Sequence, residues 1–300
     1  MSLSEKIPLL EPNIFKDSFI ENHKKNILSN GRINDFFIHS FKDNIVDLKL
    51  PLPLHKKTVH DFILIFNGNM TKSIGVQNFH LKKNQFLFTP SNSITTTSET
   101  SQELEGFYCH FSNNFLERNP FLNLWITQTT SLNLLTLTDF QIENLKVLLH
   151  RISSLYHTSF QKSSNYHLIQ YYLSTFIAEI SMIAKENPAV AKENPIVVKF
   201  NSLVNKRFKA SRKVKFYADL IHISPNHLNK VIRTETGKSA SDIINKICIL
   251  EAKVLLGQTT LNINEIAIEL GFEDTSYFSR FFKKHADISP TEYRKMIDLS

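Results

Sequence analysis

The chain has few cysteines, few glycines and no long apolar stretch, and each shortage excludes a class of protein. Its two cysteines, Cys109 and Cys248, lie far apart and lack metal-type spacing, so we predict neither a disulfide framework nor a zinc module. The seven glycines form no glycine-rich loop for binding phosphate. No apolar run reaches the roughly 18 residues that a membrane-spanning helix needs. The first residues, MSLSEKIPLL, lack the basic region and apolar block of a secretory signal, so we expect a cytoplasmic protein.

Positive charge is concentrated in the last third of the chain. The net charge is +7, and from residue 196 onward 17 Lys and Arg oppose 11 Asp and Glu, which leaves +6 for that segment. The first 195 residues carry 18 against 17. Because cations that neutralise phosphates release condensed counterions, this asymmetry is typical of a nucleic-acid-binding segment. A basic surface without such a partner is the alternative that charge alone leaves open.

Two regions of different character precede this basic segment. Between about 33 and 112, short runs rich in Phe, Ile, Val and Thr alternate with turn residues, which is typical of an all-β sandwich or barrel. From 139 to 185, apolar residues recur at helical spacing and indicate two amphipathic helices. These helices could pack on the β-rich domain, or could also meet a second subunit. We predict a β-rich domain over 1–138 and a helical hairpin over 139–185.

A linker is predicted between the helical hairpin and the basic segment. The stretch is KENPAVAKENP, and each of its prolines disfavours helix in the residue before it. We therefore assign 186–198 to a linker and 199–300 to a separate domain.

The C-terminal domain contains two stretches with the same plan: a short helix, a tight turn and a second helix. In the second stretch, Asn262 and Glu265 form a capping-box pattern that begins the first helix. Gly271 is suited to ending that helix, and Asp274 to beginning the next. The phenylalanines of this next helix, at i, i+3 and i+4, are predicted to be buried: Phe278, Phe281 and Phe282. Its outward side chains are Thr275, Ser276, Ser279, Arg280 and Lys283.

The first stretch aligns with the second at offsets of 49 and then 50 residues. Ser224 and Gly237 bound its second helix, whose outward side chains are Asn226, His227, Asn229, Lys230 and Arg233. Asn suits adenine edges, and Lys or Arg suits guanine edges or phosphates, so both outward faces are predicted to contact DNA. One continuous helix over 241–256 joins the two stretches and would hold them in successive major grooves.

These residues resemble a known family. The second stretch, LNINEIAIELGFEDTSYFSRFFKKHADISPTEYRK, strongly resembles the signature of AraC/XylS-type transcription regulators. The first, HISPNHLNKVIRTETGKSASDIIN, resembles their first helix-turn-helix, and the likeness covers about 199 to 295. By this resemblance the base-reading residues are Asn226, Asn229, Lys230, Thr275, Ser276, Ser279 and Arg280. Asp287 stands where the family usually has Gly, although Asp tolerates the left-handed conformation better than most residues.

The N-terminal region resembles, more loosely, the cupin-like sensing domain of such regulators. This resemblance implies a small β-barrel that binds an effector, and it implies that the helical hairpin forms a homodimer contact. His55 and His60 are weak candidates for the effector site. No glutamate follows them at metal-binding spacing, so we predict no metal, no cofactor and no catalytic residues.

We therefore interpret the chain as an α+β two-domain transcription regulator rather than an enzyme. Its expected partners are double-stranded promoter DNA, a small-molecule effector, a second copy of the chain and, for an activator, RNA polymerase; no membrane partner is expected. The expected location is the cytoplasmic nucleoid. Three alternatives stay open: a cupin-type enzyme fused to a DNA-targeting module, an effector-independent regulator, and a non-specific architectural DNA binder.

Overall fold

The computed structural model of the chain describes residues 11–12, 33–42, 50–116, 119, 121, 134–159, 163–187 and 194–298. The chain divides into two compact units. One comprises Leu9–Leu52 and Lys56–Lys192, and the other comprises Glu193–Ser300 with Pro53–His55. Of the predicted linker, 186–198, residues 188–193 lie outside the described residues, and a helix already begins at Pro195. No helix among the described residues is long and apolar enough to cross a membrane.

The first unit contains two antiparallel sheets. The apolar runs that predicted strands between about 33 and 112, namely NDFFIHSF, HDFILIFNG, NQFLFTP and EGFYCHFS, each contain a strand. The strands are β1 Phe36–Ser40, β2 His55–Lys56, β3 His60–Asn67, β4 Met70–Ile74, β5 Gln77–Leu81, β6 Gln85–Thr89, β7 Ile94–Thr100, β8 Glu105–Phe111 and β9 Leu134–Thr136. One sheet has the order β1-β8-β3-β6-β9 and the other has the order β2-β7-β4-β5. Among the described residues the strands therefore form two separate sheets, and the predicted β-barrel is not closed.

Strand β3 is apolar on both faces because both faces are covered. Ile63 and Ile65 pack with Met70 of the four-stranded sheet. On the opposite face, the Phe62 ring stacks on that of Phe176, with 4.8 Å between the centroids. A strand buried on both faces loses the alternation of a half-exposed strand, which explains the continuous run FILIF.

The helices that cover this face confirm the two that periodicity predicted over 139–185. Helix α1 is Asp139–Ser159 and α2 is Ser163–Glu186. The two helices contact each other, and their apolar faces form one core with the five-stranded sheet. The sheet thus supports a helical hairpin on one side and the second sheet on the other.

The second unit is helical. Its helices are α3 Pro195–Arg207, α4 Val214–Ile221, α5 Pro225–Thr236, α6 Ala240–Gln258, α7 Ile263–Glu269, α8 Thr275–Ala286 and α9 Pro290–Asp298. Helix α6 lies at the centre and contacts α3, α5, α7, α8 and α9. Its Ile244, Cys248, Ala252 and Leu255 are fully buried. The linking helix predicted over 241–256 is confirmed, and it forms the core of the domain.

Local signals set the ends of these helices as predicted. Asn262 and Glu265 form a reciprocal capping box at the start of α7. Asp274 accepts hydrogen bonds from the backbone N–H groups of Ser276 and Tyr277 at the start of α8. Helix α8 ends at Ala286, and the next residue, Asp287, adopts the left-handed conformation with φ of 65°. Side-chain oxygens thus satisfy backbone donors that a helix start leaves unpaired.

Candidate nucleic-acid interface

The second unit contains two helix-turn-helix modules, one built from α4–α5 and the other from α7–α8. In α5 the buried anchors are Leu228 and Ile232, and in α8 they are Phe278 and Phe282; all four are fully buried. Because these anchors are spaced by four residues, they fix one face of each helix inward and leave the opposite face outward. Each module therefore presents the polar side of its second helix to solvent.

The predicted outward residues of α5 fall into two groups. Asn226, Lys230 and Arg233 are exposed. Asn229 is half-buried, and its Oδ1 accepts a hydrogen bond from the backbone N–H of Ala240 at 3.0 Å. Asn229 therefore ties α5 to the start of α6, and its amide nitrogen is the part that could reach a base. Its assignment to base reading stays a prediction.

The outward residues of α8 show the same division. Ser276, Arg280 and Lys283 are exposed, whereas Thr275 and Ser279 are half-buried. The Thr275 hydroxyl donates to Asn264 Oδ1 on α7, so this side chain braces the module internally. Arg280 and Lys283 lie five and eight residues after Thr275 and place positive charge toward the end of the helix. Their assignment to DNA contact likewise stays a prediction.

One predicted core residue is only partly buried. Phe281 was expected to join Phe278 and Phe282 in the core, yet it is half-buried. Its ring lies 5.3 Å from the Phe272 ring and 4.8 Å from the His285 ring, centroid to centroid. Position i+3 from Phe278 therefore lies at the edge of the apolar face rather than at its centre.

The turn between α3 and α4, Lys209–Lys213, connects the two modules; we call it the coupling turn. Arg212 donates to the carbonyl of Leu270 at 3.0 Å and to that of Gly271 at 3.2 and 3.3 Å. Its guanidinium carbon lies 3.7 Å from the centroid of the Phe272 ring. Lys209 forms an ion pair with Glu269. These contacts hold the α7–α8 turn against the segment that begins the first module.

Gly271 makes this approach possible. Its φ is +75°, and a Cβ atom at this position would lie 2.3 Å from the carbonyl oxygen of Lys209. Both the conformation and the space therefore require glycine. The positive φ of Gly271 was predicted from its place at the helix end. The close approach of the Lys209 carbonyl was not, because Lys209 lies 62 residues earlier in the chain.

A basic groove of about 720 Å³ lies beside the coupling turn. Its cationic side chains are Lys209, Arg212, Lys213, Arg280 and Lys284. Glu273 is the acidic residue in the lining, and Ser241 and Asn245 of α6 add polar groups. A concave surface with this excess of positive charge attracts phosphate groups. Arg280 thus belongs both to the outward face of α8 and to the groove.

The two histidines predicted as effector candidates are buried and hydrogen-bonded. His55 Nδ1 donates to the Pro53 carbonyl at 2.8 Å. His60 Nδ1 accepts from the backbone N–H of Ser91 at 3.0 Å, and its Nε2 donates to Asn113 Oδ1 at 2.7 Å. Burial lowers the pKa of His60. Since both His60 nitrogens have protein partners, a ligand would have to displace one. Within the described residues, no group of three His, Cys, Asp or Glu is placed to hold a metal ion.

Comparison with known proteins identifies the second unit. Residues 217–296 match the family model described as "Helix-turn-helix domain". The chain is 30% identical to the uncharacterized HTH-type transcriptional regulator YijO of Escherichia coli over 92 residues, which cover 31% of this chain and 32% of YijO. It is 36% identical to the HTH-type transcriptional activator RhaR of Yersinia pseudotuberculosis over 81 residues, covering 26% of this chain and 28% of RhaR. The matches thus span about a third of the length of these curated relatives.

Two solved structures are similar to parts of the chain. The C-terminal domain of AraT, a response regulator from Geobacillus stearothermophilus, is 33% identical, with a TM-score of 0.34 over 35% of this chain and 88% of that chain. ToxT from Vibrio cholerae is 16% identical, with a TM-score of 0.41 over 87% of this chain and 98% of that chain.

The matched residues include both modules except the first part of α4. The second unit is therefore a helix-turn-helix DNA-binding domain. More specifically, it is an AraC-type domain, as the sequence resemblance predicted, and its curated relatives are transcription regulators.

Proposed function

We propose that the whole chain is a sequence-specific transcription regulator that inserts α5 and α8 into successive major grooves of promoter DNA. The observation that carries this proposal is the matched pair of modules, each with buried anchors on one face and exposed Asn, Ser, Lys or Arg on the other. Short polar residues near the start of a recognition helix let its backbone approach base edges, and longer cations reach guanine or phosphate.

The linking helix has a length that suits this arrangement. Helix α6 has 19 residues, which correspond to about 28 Å at 1.5 Å per residue. Successive major grooves on one face of a duplex are about 34 Å apart. With the width of each module added, α6 is long enough to separate the two recognition helices by one turn of the DNA duplex. The coupling turn adds a second connection that limits relative motion of the modules.

A second copy of the chain is the proposed partner of the helical hairpin. Phe140 and Val147 of α1 are 76% and 70% exposed, and Tyr171 of α2 is 70% exposed. Leu168 and Met182 of α2 are also exposed. Such surfaces are typical of protein interfaces. Sedimentation should give a dimer for the chain and a monomer for Tyr171→Asp; a monomeric wild-type chain would contradict this part of the proposal.

The first unit is proposed to be non-enzymatic and to sense a small-molecule effector in the cytoplasm, with RNA polymerase as a further partner if the chain activates transcription. An effector shifts DNA affinity only as far as it binds one conformation better than another. Metal analysis of the purified protein addresses the enzyme alternative: a stoichiometric transition metal would favour a cupin-type enzyme fused to a DNA-targeting module.

DNA selection tests the central proposal. Fragments of the source genome that the protein retains would be sequenced, and the enriched site compared with random DNA by fluorescence anisotropy at moderate salt. A specific reader should prefer its site by about 10³-fold or more. Equal retention of both DNAs would instead support a non-specific architectural binder.

A further inference from the structure

An aromatic side chain lies among the polar residues on the outward face of α8. Tyr277 is 52% exposed and is the third residue of the helix. Arg280 follows three residues later, so the two side chains are neighbours on one side of the helix. Both of them line the basic groove. The outward face of α8 therefore carries an apolar ring as well as hydroxyls and cations, and none of the predicted DNA contacts uses this ring.

Packing holds the Tyr277 ring from one side. Its centroid lies 5.8 Å from that of the Phe272 ring, and the two ring planes are tilted by 50°. Phe272 is itself 3% exposed, and its ring contacts the Arg212 guanidinium and the Phe278 ring. A side chain that is already held loses little conformational entropy when it binds a partner. Tyr277 thus presents the rest of its ring to solvent from a fixed support.

The Tyr277 hydroxyl takes no part in this packing. Among the described residues, it forms no hydrogen bond with the protein. A tyrosine that only fills a core buries its ring and usually pairs its hydroxyl, whereas exposed tyrosines are enriched at contact surfaces. The ring is therefore the part of Tyr277 that the structure positions, and its exposed part is available to a partner.

The first module has a ring at the equivalent position. His227 is exposed and directly precedes the first buried anchor of α5, as Tyr277 does in α8. A cation follows three residues later in each helix, namely Lys230 in α5 and Arg280 in α8. The imidazole ring forms hydrogen bonds at two nitrogens, whereas the phenol ring is apolar apart from its hydroxyl. The two modules can therefore select different features of a base from equivalent positions.

The chemistry of the ring favours one feature of the DNA. Hydrogen-bonding groups cover most of the base edges in the major groove, and the C5 methyl of thymine is the apolar group among them. Residues near the start of a recognition helix are those that reach base edges, and Tyr277 lies in the first turn of α8. A phosphate would be contacted by the hydroxyl alone and would leave the ring without a role. Both the position and the apolar surface therefore favour the thymine methyl.

We propose that Tyr277 is a specificity-determining residue, whose ring packs against the C5 methyl of a thymine in the major groove that α8 enters. This inference rests on the proposed function, because it requires α8 to lie in a major groove. Tyr277 acts beside Arg280: the ring selects thymine, and the guanidinium contacts guanine or phosphate. The half-site of α8 therefore contains a thymine whose methyl group contributes to affinity.

Deoxyuridine tests this contact one methyl group at a time, because it pairs as thymidine does and lacks only the C5 methyl. Each thymine of the selected site is replaced singly, and binding of the full chain is measured by fluorescence anisotropy. One replacement should weaken binding of the wild-type chain by about fourfold, as for the loss of one buried methyl group. Tyr277→Ala should bind the thymine and deoxyuridine forms of that position equally. The inference is wrong if no position shows both effects.

Three further variants define which part of the side chain acts. Tyr277→Phe keeps the ring and should retain both the affinity and the dependence on the methyl. A loss by Tyr277→Phe on selected and random DNA alike would assign the hydroxyl to a phosphate and overturn the inference. Tyr277→Gln covers the Phe272 ring with its stem, so it should stay folded yet lose the methyl dependence, as Tyr277→Ala does. His227→Ala is the matched change in α5 and should leave the response to that methyl unchanged.

Failure of this inference and failure of the proposed function give different results. A chain that binds selected and random DNA equally contradicts the proposed function, and the role of Tyr277 with it. A chain that prefers its selected site, but senses no thymine methyl through Tyr277, retains the proposed function and contradicts this inference alone. Circular dichroism at the titration temperature shows whether each variant is folded.

Discussion

The two helix-turn-helix modules have the same geometry but different sources of stability. In the second module, α7 begins with a complete capping box, and aromatic rings fill the space under α8. In the first module, α4 begins at Val214, the preceding residue Lys213 provides no side-chain cap, and the anchors of α5 are aliphatic. Tyr217 compensates by donating from its hydroxyl to the Ser211 carbonyl at 2.6 Å and by packing against Phe200 of α3.

The difference shows that one module is specified mainly by local signals and the other mainly by tertiary contacts. Helix α4 depends on α3 and on the coupling turn, and the coupling turn also holds the second module. The two modules are therefore expected to lose stability together when the coupling turn is broken. They are expected to respond separately when a local cap is removed.

Replacement of Gly271 should have the largest effect. In Gly271→Ala, the new Cβ meets the Lys209 carbonyl at 2.3 Å and the residue keeps a positive φ, so we expect a loss of about 3 kcal/mol or more in unfolding free energy. Gly237→Ala in the first module is the matched control. It has a similar φ of +70° but open space around the Cβ position, so its loss should be about 1 kcal/mol. Urea unfolding of the full chain measures both, and equal losses would contradict the close approach.

Loss of Arg212 should break the link between the modules. Arg212→Met keeps much of the apolar stem but removes the hydrogen bonds to the Leu270 and Gly271 carbonyls, with an expected loss of about 2 kcal/mol. Affinity for DNA with both half-sites should fall more than affinity for a single half-site. Lys213→Met is the control, since Lys213 is an exposed neighbour in the same turn. An equal fall on both DNAs would show that Arg212 does not set the relation between the modules.

Cations on the two recognition helices should respond differently to substitution. Arg280→Ala should lower specific affinity by about 1–3 kcal/mol, because a bidentate guanine contact is lost. Lys283→Ala should reduce the salt slope by about 1 and weaken specific and random DNA equally. Lys230→Ala of α5 is the corresponding change in the first module, and its DNA affinity and salt slope are compared with those of the two α8 variants. Titrations at several salt concentrations separate these roles, and normal promoter binding by Arg280→Ala would refute its assignment.

Changes at the helix caps should have the smallest effects. Asn262→Ala removes the cap of α7 and should cost about 1 kcal/mol. Lys213→Ser would supply α4 with the side-chain cap that it lacks and should add about 0.5 kcal/mol. Thermal unfolding of the full chain measures both changes. Asn262→Ala should lower the stability and Lys213→Ser should raise it. A loss of stability in both variants would mean that the Lys213 side chain makes tertiary contacts that stabilise the domain.

Local signals made most of the second unit predictable from sequence. The caps at Ser224, Asn262 and Asp274 depend on residues two or three positions away, and the apolar spacing of α8 fixes its inward face. Phe281 was placed wrongly because spacing defines an apolar face but not its edges. The coupling turn was missed because Arg212 and Gly271 are distant in sequence and no periodicity relates them.

The first unit was less predictable for the same reason. Runs of apolar residues indicated strands, but strand order and sheet membership depend on pairings between distant segments, so the pattern allowed a sandwich or a barrel. The cupin-like resemblance favoured a barrel, and the observed sheets are separate. No sequence pattern indicated that Lys57, Asp61 and Lys72 are buried, because their burial depends on packing between distant segments.

The central claim is that α5 and α8 read one duplex together across successive grooves. Anisotropy titration of the selected site, with and without an insertion of about five base pairs between its half-sites, tests this most directly. A half-turn insertion places the half-sites on opposite faces of the duplex, so affinity should fall by about 100-fold or more toward that of a single half-site. Equal affinity for the two duplexes would contradict the claim.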